Sequence, residues 1–98
     1  MTGTAVFIDC PEFLGQLYSS ELRAILPDLV MNIGDPPGGD TAAMLDGVTG
    51  AINDHTIMDE EILRACQDLK VIVFMGTGAS SYIDVEAAER IGIRVRTI

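Results

Sequence analysis

The run Val71-Ile72-Val73-Phe74 constrains this chain more than any other feature. Four consecutive apolar residues, three of them β-branched, suit a strand covered on both faces within a parallel sheet. Met75, Gly76, Thr77 and Gly78 follow, and a polar link leads to a helix that Asp84 is placed to cap. Ligands of open parallel sheets bind at loops of this kind, beyond the carboxyl ends of the strands. The stretch from Lys70 to Asp84 is therefore the first place to seek a functional surface.

The same strand-then-helix rhythm runs along the whole chain. Thr4 to Asp9 reads as a first strand, ended by Cys10-Pro11 because proline cannot donate to a ladder. From Glu12 to Leu26, the residues Leu14, Tyr18, Leu22 and Ile25 recur at helical spacing. Ser19 or Ser20 offers a break and a second cap, so one helix or two fits, and Pro27 ends the segment either way. Leu29 to Ile33 is a second strand, and Gly34 to Asp40 is the most turn-like segment of the chain. Asp40 or Thr41 caps a brief helix through Leu45, which Gly47 closes.

Val48 to Asn53 reads as a third strand, with Gly50 allowing a neighbour to approach closely. Asp54, His55 and Thr56 form its following loop. Asp59 caps the next helix, whose first turn holds Glu60 and Glu61 and whose buried face is Ile62, Leu63, Ala65, Cys66 and Leu69. After the Val71 to Phe74 strand, Asp84 starts a helix over Val85 to Ile91, with Ala87, Ala88 and Ile91 inward and Gly92 at its end. Ile93 to Thr97 alternates as an edge strand, with Arg94 and Arg96 on one face. Right-handed crossovers make this an α/β three-layer sandwich around a five-stranded parallel sheet, in the flavodoxin-like order 2-1-3-4-5.

At 98 residues the chain is one domain, and its 48% hydrophobic content indicates a globular rather than a disordered polypeptide. A net charge of −9, with only 6 Lys and Arg, argues against nucleic acid as a partner, since phosphate backbones need clustered cations. No apolar run approaches the roughly 20 residues that span a bilayer, so no membrane partner is expected. Cys10 and Cys66 show neither CxxC spacing nor a nearby histidine, which suits buried reduced thiols and a cytoplasmic protein.

Gly76-Thr77-Gly78 has the look of a dinucleotide fingerprint but fails as one. The third glycine of G-x-G-x-x-G would fall at Ser81, and the ribose-binding acid would fall among Arg96, Thr97 and Ile98. Two glycines flanking one residue fit either an anion cradle of backbone N–H groups or a plain strand-to-helix turn. Asp9, Asp54 and Thr77, all at strand ends, partly match a phosphoacceptor receiver. A second acid after the first strand and a lysine after the fifth are missing. His55, the only histidine, lies in a ligand-side loop with no second histidine or close acid dyad to build a metal site or triad. Met31, Met44, Met58 and Met75 are dispersed and read as core filler.

From Asp59 to Val95, the sequence DEEILRACQDLKVIVFMGTGASSYIDVEAAERIGIRV resembles the substrate-binding (catalytic) domain of the D-isomer-specific 2-hydroxyacid dehydrogenases, phosphoglycerate dehydrogenases included. The elements in register are Leu69-Lys70, Gly76-Thr77-Gly78, Ile83-Asp84, Ala87-Ala88 and Gly92-Ile93-Arg94-Val95. Ile91 departs from the family's usual Arg, and Ser80-Ser81-Tyr82 replaces a segment where Asp or Asn is common. Before Val48 the match is one of layout alone.

The resemblance implies hydride transfer between NAD or NADP and a small 2-hydroxy or 2-oxo acid. It implies that Gly76, Thr77 and Gly78 offer N–H groups to the substrate carboxylate, with Met75, Asn53 and His55 lining the same cleft. The family's catalytic residues and NAD-binding domain have no counterpart in residues 1–98. The expectation is a substrate-domain segment of a longer enzyme, ending after its fifth strand. Alone it is inactive and binds no cofactor; at full length it is a homodimer. The rival expectation is a stand-alone flavodoxin-like binding or receiver module.

Overall fold

The computed structural model describes residues 5–12 and 29–97. Its strands are β1 (Ala5–Cys10), β2 (Leu29–Ile33), β3 (Gly50–Asn53), β4 (Val71–Phe74) and β5 (Arg94–Thr97). All neighbouring pairs are parallel, and the sheet runs in the order β2-β1-β3-β4-β5. The helices α1 (Thr41–Met44), α2 (Glu60–Ala65) and α3 (Val85–Ile91) are the described crossovers. This is the α/β order expected from the sequence. The helical reading from Glu12 to Leu26 falls outside the described residues apart from Glu12 itself.

Each described α-helix begins at an aspartate cap. Asp40, Asp59 and Asp84 accept the N–H of Ala43, Ile62 and Ala87 at 3.0, 3.0 and 3.1 Å. Each satisfies a donor that the first helical turn leaves without an intrahelical partner. Gly92 ends α3 at φ 99°, a left-handed turn that a residue with a Cβ adopts only under strain.

The described helices cover one face of the sheet. Val6, Ile8, Ala51, Ile72 and Phe74 meet Leu63, Cys66, Leu69, Ala87, Ala88 and Ile93 there in a single buried cluster. The opposite face carries Phe7, Ile52, Val71 and Val73, in register with Arg94 and Arg96. β4 therefore alternates, with Ile72 and Phe74 buried and Val71 and Val73 half-buried, rather than being covered equally on both sides.

Several boundary readings change for identifiable reasons. The third and fifth strands begin at Gly50 and Arg94 because Val48 and Ile93 donate their N–H groups to Leu45 and Ala88 before pairing starts. Ile91 is 36% exposed rather than inward, since the helix stops there and Ile93, at 2%, plugs the core instead. Ala65 is exposed at the end of α2. A Cβ at Gly50 would meet only the Val71 side chain, at 3.6 Å, so no close approach demands glycine there. Cys10 and Cys66 are buried and free, as expected.

Truncating the buried Ile72 to alanine should lower unfolding free energy by about 2–5 kcal/mol. The same change at Ile91 should cost about 1 kcal/mol or less. Urea denaturation of the two variants checks the contrast.

Candidate functional site

Parallel pairing brings the carboxyl ends of all five strands to one edge of the sheet, and the chemistry gathers there. At its centre is Asp9, the penultimate residue of β1 and fully buried. Its carboxylate accepts the N–H of Asp54 at 2.8 Å, the N–H of His55 at 2.7 Å and the hydroxyl of Thr56 at 2.7 Å. A buried carboxylate needs donors of this kind, and a loop of three residues supplies them all.

Asn53 completes the loop from inside. Its side-chain amide donates to the Thr56 carbonyl at 2.9 Å, and its side-chain oxygen accepts the Thr56 N–H at 2.8 Å. It is fully buried, so within this structure it shapes the loop rather than facing the edge. Its main-chain carbonyl accepts the Met75 N–H at 2.9 Å and joins this loop to the one after β4.

His55 projects from the pinned loop with its side chain 46% exposed. Nδ1 lies 3.0 Å from Asp54 Oδ2 and 3.2 Å from Asp9 Oδ2, while Nε2 lies 2.9 Å from Asp35 Oδ1. A neutral imidazole has one N–H, so carboxylates at both nitrogens require the doubly protonated ring. The hydrogen bonds that the ring donates to Asp54 and Asp35 accordingly raise the His55 pKa above its ordinary value, against a smaller opposing effect of burial. The sequence reading, which looked for a second histidine or an acid dyad to build a metal site or triad, did not foresee these carboxylates around His55. Asp9 and Asp35 are remote in sequence, and only strand pairing brings them there. Burial, then Asp9 and Asp54, raise the neighbouring Cys10 thiol.

The loop after β4 is differently built. Met75 and Gly76 are half-buried, and Thr77 and Gly78 are exposed. Among the described residues, the N–H groups of Gly76, Thr77 and Gly78 make no hydrogen bond. Gly76 sits at φ 134°, outside the usual range of residues with side chains, whereas Gly78 at φ −104° does not need to be glycine. Tyr82, beyond the short 3-10 turn of Ala79–Ser81, stacks on Phe74 with centroids 5.4 Å apart and so ties the link to β4.

Sequence reasoning missed Asp35, Thr56 and the structural task of Asp9. The receiver reading required Asp9 to be open to a metal. Its oxygens are instead committed to the loop after β3, and no metal-binding cluster occurs among the described residues. Nor is any described helix long and apolar enough to cross a membrane.

A parallel sheet of this order with crossover helices is a flavodoxin-like α/β domain. Among solved structures, it is similar to phosphoglycerate oxidoreductase from Vibrio cholerae (TM-score 0.77, 18% identity), covering 98% of this chain and 31% of that one. It is similar to NAD+-bound 3-phosphoglycerate dehydrogenase of Entamoeba histolytica (TM-score 0.74, 24% identity), covering 98% and 33%. An acyclic imino acid reductase in complex with NADPH and D-Arg also matches (TM-score 0.77, 23% identity), covering 96% and 30%. The chain therefore spans about a third of the length of these structures. No family model matches the sequence, and no curated protein matches it.

Because folding raises the His55 pKa, protonated His55 stabilises the native state. That contribution is complete below the ordinary histidine value of about 6.5 and is lost as pH rises through the raised value. Urea midpoints at about pH 6 and about pH 9 should therefore differ more in the parent than in His55→Gln.

Proposed function

We propose that this chain is a substrate-binding domain of an NAD(P)-dependent D-2-hydroxyacid dehydrogenase, phosphoglycerate dehydrogenase-like in type. The observation that carries the reading is the loop after β4: three successive N–H groups without partners among the described residues, beginning at a glycine with φ 134°. Backbone donors of this kind suit an anion in a chain of net charge −9, because they hold it without a cationic side chain. In this reading Gly76, Thr77 and Gly78 take the carboxylate of a small 2-hydroxy or 2-oxo acid. Met75 forms the apolar wall, His55 faces the cleft, and Asn53 positions the loop that bears it.

The fold likeness to the nicotinamide-dependent enzymes supports the assignment, as does the register of motifs from Asp59 to Val95. Hydride transfer also needs a nicotinamide and its domain. The described residues offer no dinucleotide loop, since Ser81 stands where the third glycine belongs. The cofactor half thus belongs to further polypeptide, and the complete enzyme is a cytoplasmic homodimer. What this chain contributes is orientation: fixing the carboxylate places the adjoining carbon for hydride transfer.

Purified residues 1–98 should oxidise no NADH with pyruvate, and measurable turnover would contradict the division of labour. Pyruvate should nevertheless shift the amide signals of Gly76, Thr77 and Gly78 in an NMR titration. Gly76→Ala should weaken that binding by roughly tenfold, the scale of one hydrogen bond to a charged group. Gly78→Ala, whose Cβ would meet the Ser81 hydroxyl at an ordinary 3.8 Å, should change it by about twofold or less. Equal losses in both variants would remove the cradle.

A further inference from the structure

The Lys and Arg residues among those described are Arg64, Lys70, Arg90, Arg94 and Arg96, and they divide by place. Arg64 and Arg90 share Glu60, with Nη2 atoms 2.8 Å from Oε2 and 3.3 Å from Oε1. Lys70, Arg94 and Arg96 are exposed and, among the described residues, pair with no carboxylate. All three line one open cavity of about 600 Å³, completed by Val71 and Gly92. Lys70 precedes β4 and Gly92 precedes β5, so the cavity starts at the amino ends of these strands. About 10 Å of β4 separates it from the glycine loop at the other end. Arg94 and Arg96 alternate with Val95, which packs on the core, so both lie on the sheet face away from the described helices.

Gathering three cations costs repulsion, which a sheet offsets with opposite charges across the ladder. Here the cross-strand partners of Arg94 and Arg96 are Val71 and Val73, which offset nothing. Charges on an edge strand also guard it against pairing with other chains. Arg96 meets that need. The Arg94 N–H donates to the Lys70 carbonyl at 2.9 Å, so the backbone of Val95 faces away from β4, and Arg96 Nη1 covers the Val95 carbonyl at 3.0 Å. Lys70, Arg94 and the remaining donors of Arg96 are left without a task.

We propose that this cavity binds a small anion carrying two phosphoryl groups. A guanidinium fork matches two oxygens of one phosphoryl group, and two forks lie two residues apart on one strand face, with Lys70 as a third charge. Val71 is the one apolar side chain in the lining and no aromatic ring joins it, so a nucleobase has nothing to stack on. The ligand is therefore a diphosphate or bisphosphate without a base. In a chain of net charge −9, only a local positive potential draws such an anion, and these three residues supply it. The site is independent of the function proposed above.

The test is an NMR titration of the chain with inorganic pyrophosphate, orthophosphate and citrate. Pyrophosphate should shift the amide signals of Val71, Gly92, Arg94 and Arg96, and bind there several-fold more tightly than the other two. Lys70→Gln and Arg94→Gln should each weaken it by about two- to fivefold, the range of an exposed charged pair. Any shift at Gly76 to Gly78 should be indifferent to both changes. Arg94→Lys, which keeps the charge but not the fork, should lose the preference for pyrophosphate over orthophosphate. Arg64→Gln, which removes the same charge from α2, should change nothing. All four positions are exposed, so the variants should fold as the parent does. Orthophosphate or citrate binding as tightly as pyrophosphate would reduce the cavity to a general cationic patch. No shift at about 10 mM pyrophosphate, weaker than ordinary ligand affinities, would leave the arginines as guards of the edge. Either result overturns the proposal.

Discussion

A single buried carboxylate, that of Asp9, organises the ligand edge of this domain. Placing a carboxylate in a low-dielectric interior is costly unless donors surround it, and removing one partner of such a set leaves a penalty of about 1–3 kcal/mol. Here the N–H groups of Asp54 and His55 and the Thr56 hydroxyl surround it. The loop after β3 is therefore held to β1, and every polar group that loop carries has a defined direction. Among the described residues no buried side-chain nitrogen or oxygen lacks a partner.

The two loops of the edge are opposites in their hydrogen bonding. The segment after β3 is saturated: Asn53 and Thr56 close it on themselves, and Asp9 takes the donors left over. The segment after β4 keeps the Gly76, Thr77 and Gly78 donors uncommitted among the described residues. Saturation gives rigidity, and uncommitted donors give capacity for an anion. They are joined by the Met75 N–H on the Asn53 carbonyl, so the rigid loop sets the position of the open one. Under the function proposed above, this division is what lets an acidic chain present an anion site.

Most of the fold was legible in the sequence because its signals are local. The apolar run of β4, the caps Asp59 and Asp84 and the closing Gly92 each act within one turn or one strand. Strand order followed from the handedness of crossovers. The glycine loop was also legible, though only geometry separates Gly76, which needs its positive φ, from Gly78, which does not. The His55 cluster was illegible for the complementary reason. Asp9 and Asp35 lie 46 and 20 residues from His55; the strand-end position placed Asp9 on this edge, but nothing in the local sequence brings Asp35 there or sets either carboxylate against the ring. Ile91 failed by a subtler route, since helical periodicity does not register that the helix ends and Ile93 takes the buried place.

Amide hydrogen exchange tests the place of Asp9 most directly. In the parent chain the N–H groups of Asp54 and His55 should exchange slowly despite lying in a loop, because a buried carboxylate holds both. Asp9→Asn keeps the shape but turns one oxygen into a donor, so those two amides should lose protection while that of Ile72 in β4 changes little. Unchanged protection at Asp54 and His55 in a folded Asp9→Asn variant would contradict the account.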